Sequence, residues 1–177
     1  MNFDFSDEQK LLRDVARKFL AKRCGTNVVR QVLDGDAPFD RDVWKGIVEL
    51  EWPGTAVPED YGGIGYGHVE LCVLAEELGR ALAPVPFSSS VYLATEALQL
   101  AGSEAQRRKY LPQLAAGEIV GTVALAEGTG AIRPSAIETS YDNGKLRGTK
   151  TPVPDGDVAD LLIVAARSGE SPDDVRL

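Results

Sequence analysis

Residues 111–125 have the sequence LPQLAAGEIVGTVAL, and the periodicity of the chain changes within them, near Gly117. Before this glycine, apolar residues recur at helical spacing, whereas Ile119 to Leu125 form a β-branched apolar run typical of a strand. Helices followed by strands predict an α+β fold. We therefore expect an all-helical N-terminal domain at residues 1–117 and an incomplete antiparallel β domain at residues 118–177.

The helical part contains clear start signals. Ser6 with Gln9, and Ser103 with Gln106, form capping boxes, in which each side chain satisfies a free N–H group near the first turn. Asp40 is a suitable N-cap for a further helix. Together with the spacing of the apolar residues, these signals predict a bundle of about six helices before the strands begin.

The strand part contains a turn signal and a second apolar segment. Asp142-Asn143-Gly144 predicts a hairpin, because Asn and Gly adopt the positive φ angles that tight hairpin turns require. Leu161 to Ala166 is a fully apolar strand candidate. So few strands leave unpaired sheet edges, which are an unfavourable place for a domain to end. We therefore expect the β domain to be partial.

The charge and the rare residue types argue against several classes of function. The chain of 177 residues has 19 Lys and Arg against 27 Asp and Glu, a net charge of −8 without a basic run, which disfavours nucleic acid or an anionic membrane as a partner. Cys24 and Cys72, with the single histidine His68, predict no disulfide framework, no metal site and no histidine-centred triad. The N-terminus lacks an apolar leader, and no apolar run reaches the roughly 18 residues of a membrane span. We therefore expect a cytoplasmic protein.

Two patterns that suggest chemistry have simpler structural interpretations. The glycines of residues 62–65 do not complete a GxGxxG phosphate loop, because His68 occupies the last glycine position and no clear strand precedes them. They predict a tight turn between helices. Glu76 and Glu77 are adjacent, so on a helix they point about 100° apart and cannot act as a catalytic pair. We expect both carboxylates to lie on a solvated helix face.

Residues 57–65, with the sequence VPEDYGGIG, resemble the N-terminal signature of the acyl-CoA dehydrogenase family of flavoproteins. The similarity continues in order along essentially the whole chain. The other matching segments are Phe5–Gln9, Trp44, Trp52, Ala75–Gly79, Gly102–Gln106, Lys109–Pro112, Gly117-Glu118, the Leu146-x-Gly148-x-Lys150 pattern and Ala159-Asp160.

The resemblance implies a fold and a reaction. Family members have an N-terminal helical domain, a middle β domain and a C-terminal helical domain, and the last of these is absent from this chain. They bind FAD between the middle and C-terminal domains, and they desaturate an acyl-CoA thioester between Cα and Cβ. A carboxylate base takes the α proton, and the β hydrogen leaves as hydride to the flavin. Because the family's base lies beyond Leu177, the resemblance assigns no catalytic residue here.

The same resemblance implies two flavin-contacting segments with altered chemistry. The family's Leu-Thr-Glu-Pro aligns with residues 125–128, where Ala126 lacks the hydroxyl. Its Trp-Ile-Thr aligns with residues 152–154, where Pro154 has neither a hydroxyl nor an N–H group. Losing two or three hydrogen bonds, each worth about 0.5–1.5 kcal/mol, predicts flavin binding that is about 10- to 1,000-fold weaker. The implied cofactor-binding residues are Val123, Leu125, Ala126, Pro152, Val153 and Pro154.

The resemblance also implies an acyl-binding region after the proline break at Pro84 and Pro86. The implied substrate-binding residues are Phe87, Ser89, Ser90 and Leu93, and the small serines would leave room for a bulky or branched acyl group. An ordinary helix start with core packing explains the same residues equally well.

Three functional hypotheses follow. The first is an active FAD-dependent acyl-CoA dehydrogenase of fatty acid or steroid side-chain degradation, which passes electrons to an electron-transfer flavoprotein. The second is a non-catalytic subunit that forms a hetero-oligomer with an active acyl-CoA dehydrogenase paralogue. The third, an independent helical binding module, is disfavoured by the incomplete sheet.

Overall fold

The computed structural model describes residues 4–169 and 174–177. Its helices precede its strands, as the fold class predicts. Short 3₁₀ turns lie at Trp52–Gly54, Glu59–Tyr61 and Pro134–Ala136. The helices are α1 (Asp7–Arg23), α2 (Thr26–Leu33), α3 (Arg41–Glu49), α4 (His68–Arg80), a π-helical segment (Ser88–Thr95) that continues into α5 (Glu96–Ala101), and α6 (Glu104–Ala115).

The strands form two small sheets. In the first sheet β1 and β4 are parallel, with Gly121 opposite Leu161. The second has the order β3-β2-β5-β6, with antiparallel β2–β3 and β5–β6 pairs and a parallel contact between β2 and β5. The strands are β1 (Gly121–Ala124), β2 (Ser140–Asp142), β3 (Lys145–Arg147), β4 (Leu161–Val164), β5 (Ala166–Arg167) and β6 (Val175–Arg176).

The partial β domain is therefore of mixed direction, and the antiparallel part of the prediction holds only for some of its pairs. Between β1 and β4 the chain makes a long excursion, residues 125–160, and returns to the end of the sheet from which β1 began. Parallel pairing requires such a long crossover, whereas a short turn can join only antiparallel strands. The expectation of a helical domain followed by a partial β domain is confirmed.

The predicted start and turn signals are confirmed. The Gln9 N–H group donates to Ser6 Oγ over 3.2 Å, and the Ser6 N–H group donates to Gln9 Oε1 over 2.9 Å. Asp40 accepts the Val43 N–H group over 2.8 Å at the start of α3. The β2–β3 hairpin turns at residues 143 and 144, which have φ angles of 49° and 77°.

By compactness the chain divides into two units. The first comprises Met1–Pro86 with Tyr110–Glu118, and the second comprises Phe87–Lys109 with Ile119–Leu177. The sequence boundary between residues 117 and 118 remains a prediction about domains. Across residues 4–169 and 174–177, no helix combines the length and apolar character needed to cross a membrane.

In the first unit, the glycine-rich turn is built on its own backbone. The Gly65 N–H group donates to Val57 O over 2.9 Å, and the Gly63 N–H group donates to Pro58 O over 3.2 Å. Gly63 approaches Val57 so closely that a Cβ atom would lie 2.0 Å from the Val57 carbonyl oxygen. Only glycine fits at such a contact. These N–H groups are used within the turn, so the prediction of a turn rather than a phosphate loop is confirmed.

The prediction for Glu77 was wrong. Glu76 is exposed, but the Glu77 side chain is completely buried. Its Oε1 lies 2.5 Å from Nη2 of Arg17 in α1, and its Oε2 lies 3.0 Å from Nε of Arg80. The hydrogen bond from Arg17 lowers the pKa of Glu77 and outweighs burial, which raises it. Two guanidinium groups therefore allow this carboxylate to remain charged inside the unit, where it joins α4 to α1.

We expect Glu77→Ala to lower the free energy of unfolding by about 2–4 kcal/mol, because it removes the acceptor shared by two guanidinium groups. The adjacent exposed carboxylate provides the control, and Glu76→Ala should change stability by less than about 0.5 kcal/mol. Chemical denaturation at neutral pH measures both values. Equal stability of the two variants would show that the ion pair does not hold α1 on α4.

Candidate functional site

Two segments that are distant in sequence lie side by side in the second unit. Glu127 and Thr151 form an isolated parallel bridge. The Thr151 N–H group donates to Ala126 O over 2.8 Å, and the Gly128 N–H group donates to Thr151 O over 2.7 Å. The structure thus places residues 126–128 beside Thr151, the residue that immediately precedes 152–154; residues 125–128 and 152–154 are the two segments that the resemblance implies for flavin contact.

We call the place where residues 126–128 pair with Thr151 the junction. An ion pair between Glu127 and Lys150 fixes it. Lys150 Nζ lies 2.6 Å from Glu127 Oε1 and also donates to Leu125 O over 3.2 Å. The second carboxylate oxygen accepts the Glu138 N–H group over 2.7 Å, and Oε1 accepts the Thr139 N–H group over 3.0 Å. The side chains of Glu127 and Lys150 are only 13% and 7% exposed, so solvent screens the pair weakly. One carboxylate therefore ties three stretches of chain together.

The low pKa of Glu127 argues against a role as a general base. Burial raises its pKa, but the hydrogen bonds from Lys150 and from the Glu138 and Thr139 N–H groups outweigh burial and lower it to about 2. An efficient general base has a pKa near the working pH. Glu127 is therefore a fixed anion that orders the junction.

Gly148 is required where β3 leads into the junction. Its φ angle is 155°, and a Cβ atom there would lie 2.7 Å from Thr139 Cα and 2.3 Å from Thr139 Oγ1. A side chain at this position would push residues 148–150 away from Thr139, which itself donates to Glu127. The Leu146-x-Gly148-x-Lys150 spacing in the sequence thus contains the signal for this packing, although it does not reveal the partner of Lys150.

Residues 152–155 follow the junction and are held by two buried hydroxyl groups. Pro152 and Pro154 are exposed, and Val153 is half-buried. Thr122 Oγ1 donates to Pro154 O over 2.6 Å, and Ser89 Oγ donates to Asp155 Oδ2 over 2.5 Å. Sequence reasoning missed Thr122 and Asp155, because their partners lie far away in the chain.

The other predicted site residues have different surroundings. Val123 is 7% exposed and lies opposite Ile163 in the first sheet. Phe87 is buried against Tyr92, with ring centroids 5.4 Å apart, whereas Leu93 is 37% exposed. Ser89 and Ser90 are buried, and both hydroxyls bond to the strand region: Ser90 Oγ accepts the Gly121 N–H group over 3.2 Å. The acyl-binding role of Phe87, Ser89, Ser90 and Leu93 remains a prediction.

A small pocket lies beside the junction. It is lined by the loop that follows β1, including Leu125, Ala126 and Ile137, and its volume is about 60 Å³. Pockets that enclose a whole organic ligand are typically about 300–1,000 Å³. The loop therefore forms at most one wall of a larger site.

Comparisons with known proteins identify relatives of the whole chain. A family model described as acyl-CoA dehydrogenase, N-terminal domain, matches residues 6–118. Mitochondrial isovaleryl-CoA dehydrogenase of Arabidopsis thaliana is 31% identical over 170 residues, which cover 93% of this chain and 42% of that protein. The chain thus spans less than half the length of this curated relative.

Two solved structures have the same fold over nearly the whole chain. Acyl-CoA dehydrogenase complexed with FAD from Bacillus anthracis is 30% identical with a TM-score of 0.80, covering 93% of this chain and 29% of that one. The ChsE4–ChsE5 complex from Mycobacterium tuberculosis is 28% identical with a TM-score of 0.83, covering 94% of this chain and 46% of that one.

The residues at the junction do not fit FAD in the way that the family motifs imply. Ala126 and Pro154 have no side-chain donor, and Pro152 and Pro154 have no N–H group. The buried hydroxyl of Thr122 already donates to Pro154 O. The backbone pairing of residues 126–128 with Thr151 is present, but the hydroxyl of the family motif at residue 126 and both donors at residue 154 are missing, so we derive no reaction step through a flavin on this chain.

We expect Glu127→Gln to lower the free energy of unfolding by about 2–4 kcal/mol at pH 7, because it leaves the Lys150 ammonium group buried without its counter-charge. Glu138→Gln is the matched control, since its exposed side chain makes no described contact with the pair and only its backbone N–H group bonds to Glu127. Equal unfolding free energies of these variants would contradict the role given to the ion pair.

The same carboxylate predicts a pH dependence. Its folded-state pKa of about 2 lies below the ordinary value of 4.5, so its stabilising contribution is fully present above about pH 4.5 and is lost as the pH falls towards 2. Denaturation at pH 7 and pH 3 should show a smaller acid-induced loss in Glu127→Gln than in the unmodified protein. An equal loss in both would contradict the assignment.

Proposed function

We propose that this chain, which belongs to the acyl-CoA dehydrogenase family, is part of an FAD-dependent acyl-CoA dehydrogenase. The assembly would introduce a double bond between Cα and Cβ of an acyl-CoA thioester and pass the electrons to an electron-transfer flavoprotein. The observation that supports this proposal is the pairing of residues 125–128 with Thr151, locked by Glu127 and Lys150. This pairing supports the proposal because it fixes the backbone of residues 126–128 beside the start of the second segment to which we assign flavin contact, although the side chains differ from the family pattern.

In this proposal the chain forms part of the surfaces that orient the cofactor and the acyl group. Val123, Leu125, Ala126 and the segment 152–154 form the surface that faces the cofactor. Phe87, Ser89, Ser90 and Leu93 border the acyl group, and the carboxylate base comes from residues beyond Leu177.

A second function is favoured by Pro152 and Pro154. A surface without donors suits a non-catalytic subunit that pairs with an active paralogue, where the paralogue's own site would hold most of the flavin. One of the structural relatives is itself a complex of two chains, ChsE4 and ChsE5. A glutamate at the family's base position beyond Leu177 would favour the first function, and its absence would favour the second.

Flavin content tests the role of the two prolines. We expect the 177-residue segment alone to bind FAD negligibly and the full-length homo-oligomer to bind it weakly, because the donor positions are empty of hydroxyl and N–H groups. Co-expression with a paralogous subunit should raise the FAD content per protomer. Visible absorption of the purified proteins measures it.

Restoring the donors should increase FAD occupancy by about ten-fold or more, since each recovered hydrogen bond is worth about 0.5–1.5 kcal/mol. The variants are Pro154→Thr alone and Pro152→Trp with Pro154→Thr, and Pro38→Thr, at an exposed proline of the first unit, is the control. Stoichiometric, tightly held FAD in the unmodified homo-oligomer would show that the missing donors are unimportant, and the active-enzyme function would then replace the second one.

A further inference from the structure

Residues 152–155 cannot be fixed by their own backbone donors. Two of the four residues are prolines, so the segment lacks two N–H groups that would otherwise bond to the surrounding chain. Two described backbone bonds to the segment are long, from the Gly156 N–H group to Val153 O at 3.3 Å and from the Val158 N–H group to Asp155 O at 3.2 Å. Side-chain donors from other elements therefore contribute to its position, and those that the structure describes are the hydroxyls of Thr122 and Ser89.

Ser89 reaches the segment from a helix of unusual geometry. It lies in the π-helical stretch Ser88–Thr95, and π-helical turns often occur at functional sites. Ser89 and the next residue, Ser90, are both buried, and they bond to Asp155 and to the Gly121 N–H group respectively. Thr95 Oγ1 donates back to the carbonyl oxygen of Ser90 over 2.9 Å. The stretch thus presents consecutive hydroxyls to its own unit, one to the turn at Asp155 and one to the first residue of β1.

We propose that the hydrogen bond from Ser89 to Asp155 positions the Pro152–Asp155 segment, so that Ser89 and Asp155 are positioning residues for the site of the proposed dehydrogenase. The proposal rests on the proposed function for its consequence in catalysis. The claim that Ser89 positions the segment rests only on its hydrogen bond to Asp155. Ser89 then acts through Asp155 on the orientation of the two prolines, in addition to any steric role beside an acyl group.

Because of two properties of Asp155, this bond can set the direction of the chain after Pro154. Its carboxylate accepts from a completely buried hydroxyl over 2.5 Å, and hydrogen bonds to ionised acceptors are stronger than neutral ones. Its φ angle is 49°, in the left-handed region that Asp, Asn and Gly adopt more readily than other residues. The direction in which the chain leaves Pro154 is therefore set by the backbone and the side chain of the same residue.

These properties define a set of variants with different expected results. Ser89→Ala removes the donor, and Asp155→Ala removes both the acceptor and the tolerance for a positive φ angle. Asp155→Asn keeps an amide oxygen as acceptor and tolerates the same backbone conformation, so it is the conservative rescue. Ser88→Ala changes the adjacent exposed serine and is the matched control.

The experiment uses the full-length protein, alone for hydrogen exchange and co-expressed with a paralogous subunit and supplied with FAD for activity. Hydrogen exchange of a peptide that covers residues 153–158 should accelerate about ten-fold in Ser89→Ala and Asp155→Ala, whereas Asp155→Asn and Ser88→Ala should match the unmodified protein. For acyl-CoA oxidation, kcat should fall about ten-fold with little change in KM in the first two variants, because misplacement of a reacting surface lowers the rate more than ground-state binding. The double variant should be no worse than Asp155→Ala alone, since Ser89→Ala removes a contact that Asp155→Ala has already removed.

The outcomes separate this proposal from the proposed function. Unchanged exchange in Ser89→Ala would overturn the proposal, whatever the activity. Faster exchange with an unchanged kcat would overturn the positioning role in catalysis. An unmodified assembly that oxidises no acyl-CoA would overturn the proposed function, and the exchange comparison would still decide whether Ser89 fixes the segment. Melting temperatures identify a variant that fails to fold, and if one of the two alanine variants does so, the other provides the test.

Discussion

The second unit depends on the placement of one carboxylate. Glu127 follows β1, accepts two N–H groups from residues 138 and 139, and pairs with Lys150, whose ammonium group also bonds to the chain beside β1. Within the excursion between β1 and β4, this carboxylate therefore holds residues 138–139 and Lys150 against the chain that leaves β1. Because both side chains are largely buried, the loss of either partner would leave a charge with little access to water.

Residues 152–155 of the candidate site follow the Glu127–Lys150 ion pair in the chain but take no part in it. Pro152 and Pro154 are exposed and present no donors, whereas the groups that hold them, Thr122 and Ser89, are buried on neighbouring elements. The orientation of the surface is therefore determined by residues that do not form the surface. A family resemblance can preserve the position of a flavin-facing segment while the chemistry of that segment changes.

Sequence reasoning succeeds where the physical cause is local. The capping pair of Ser6 and Gln9, the Asn143-Gly144 turn and the change of period near Gly117 each depend on neighbours within a few residues, and all three occur as predicted. Reasoning from local pattern fails where the cause is a partner distant in sequence. Glu77 appears in the sequence as one of two adjacent helix carboxylates, and only the packing of α1 on α4 brings Arg17 to it.

The same limit explains why the candidate site could be located but not understood from the sequence. The resemblance identifies residues 125–128 and 152–154, and the structure pairs the first segment with Thr151. The bonds that orient the second segment join it to Ser89 in the π-helical stretch and to Thr122 in β1, and neither bond has a signature in sequence spacing. A serine that suits an acyl pocket because it is small also suits a buried hydrogen bond to a carboxylate. Residue size alone does not separate these roles, whereas the presence of Asp155 within 2.5 Å gives the hydroxyl itself a function.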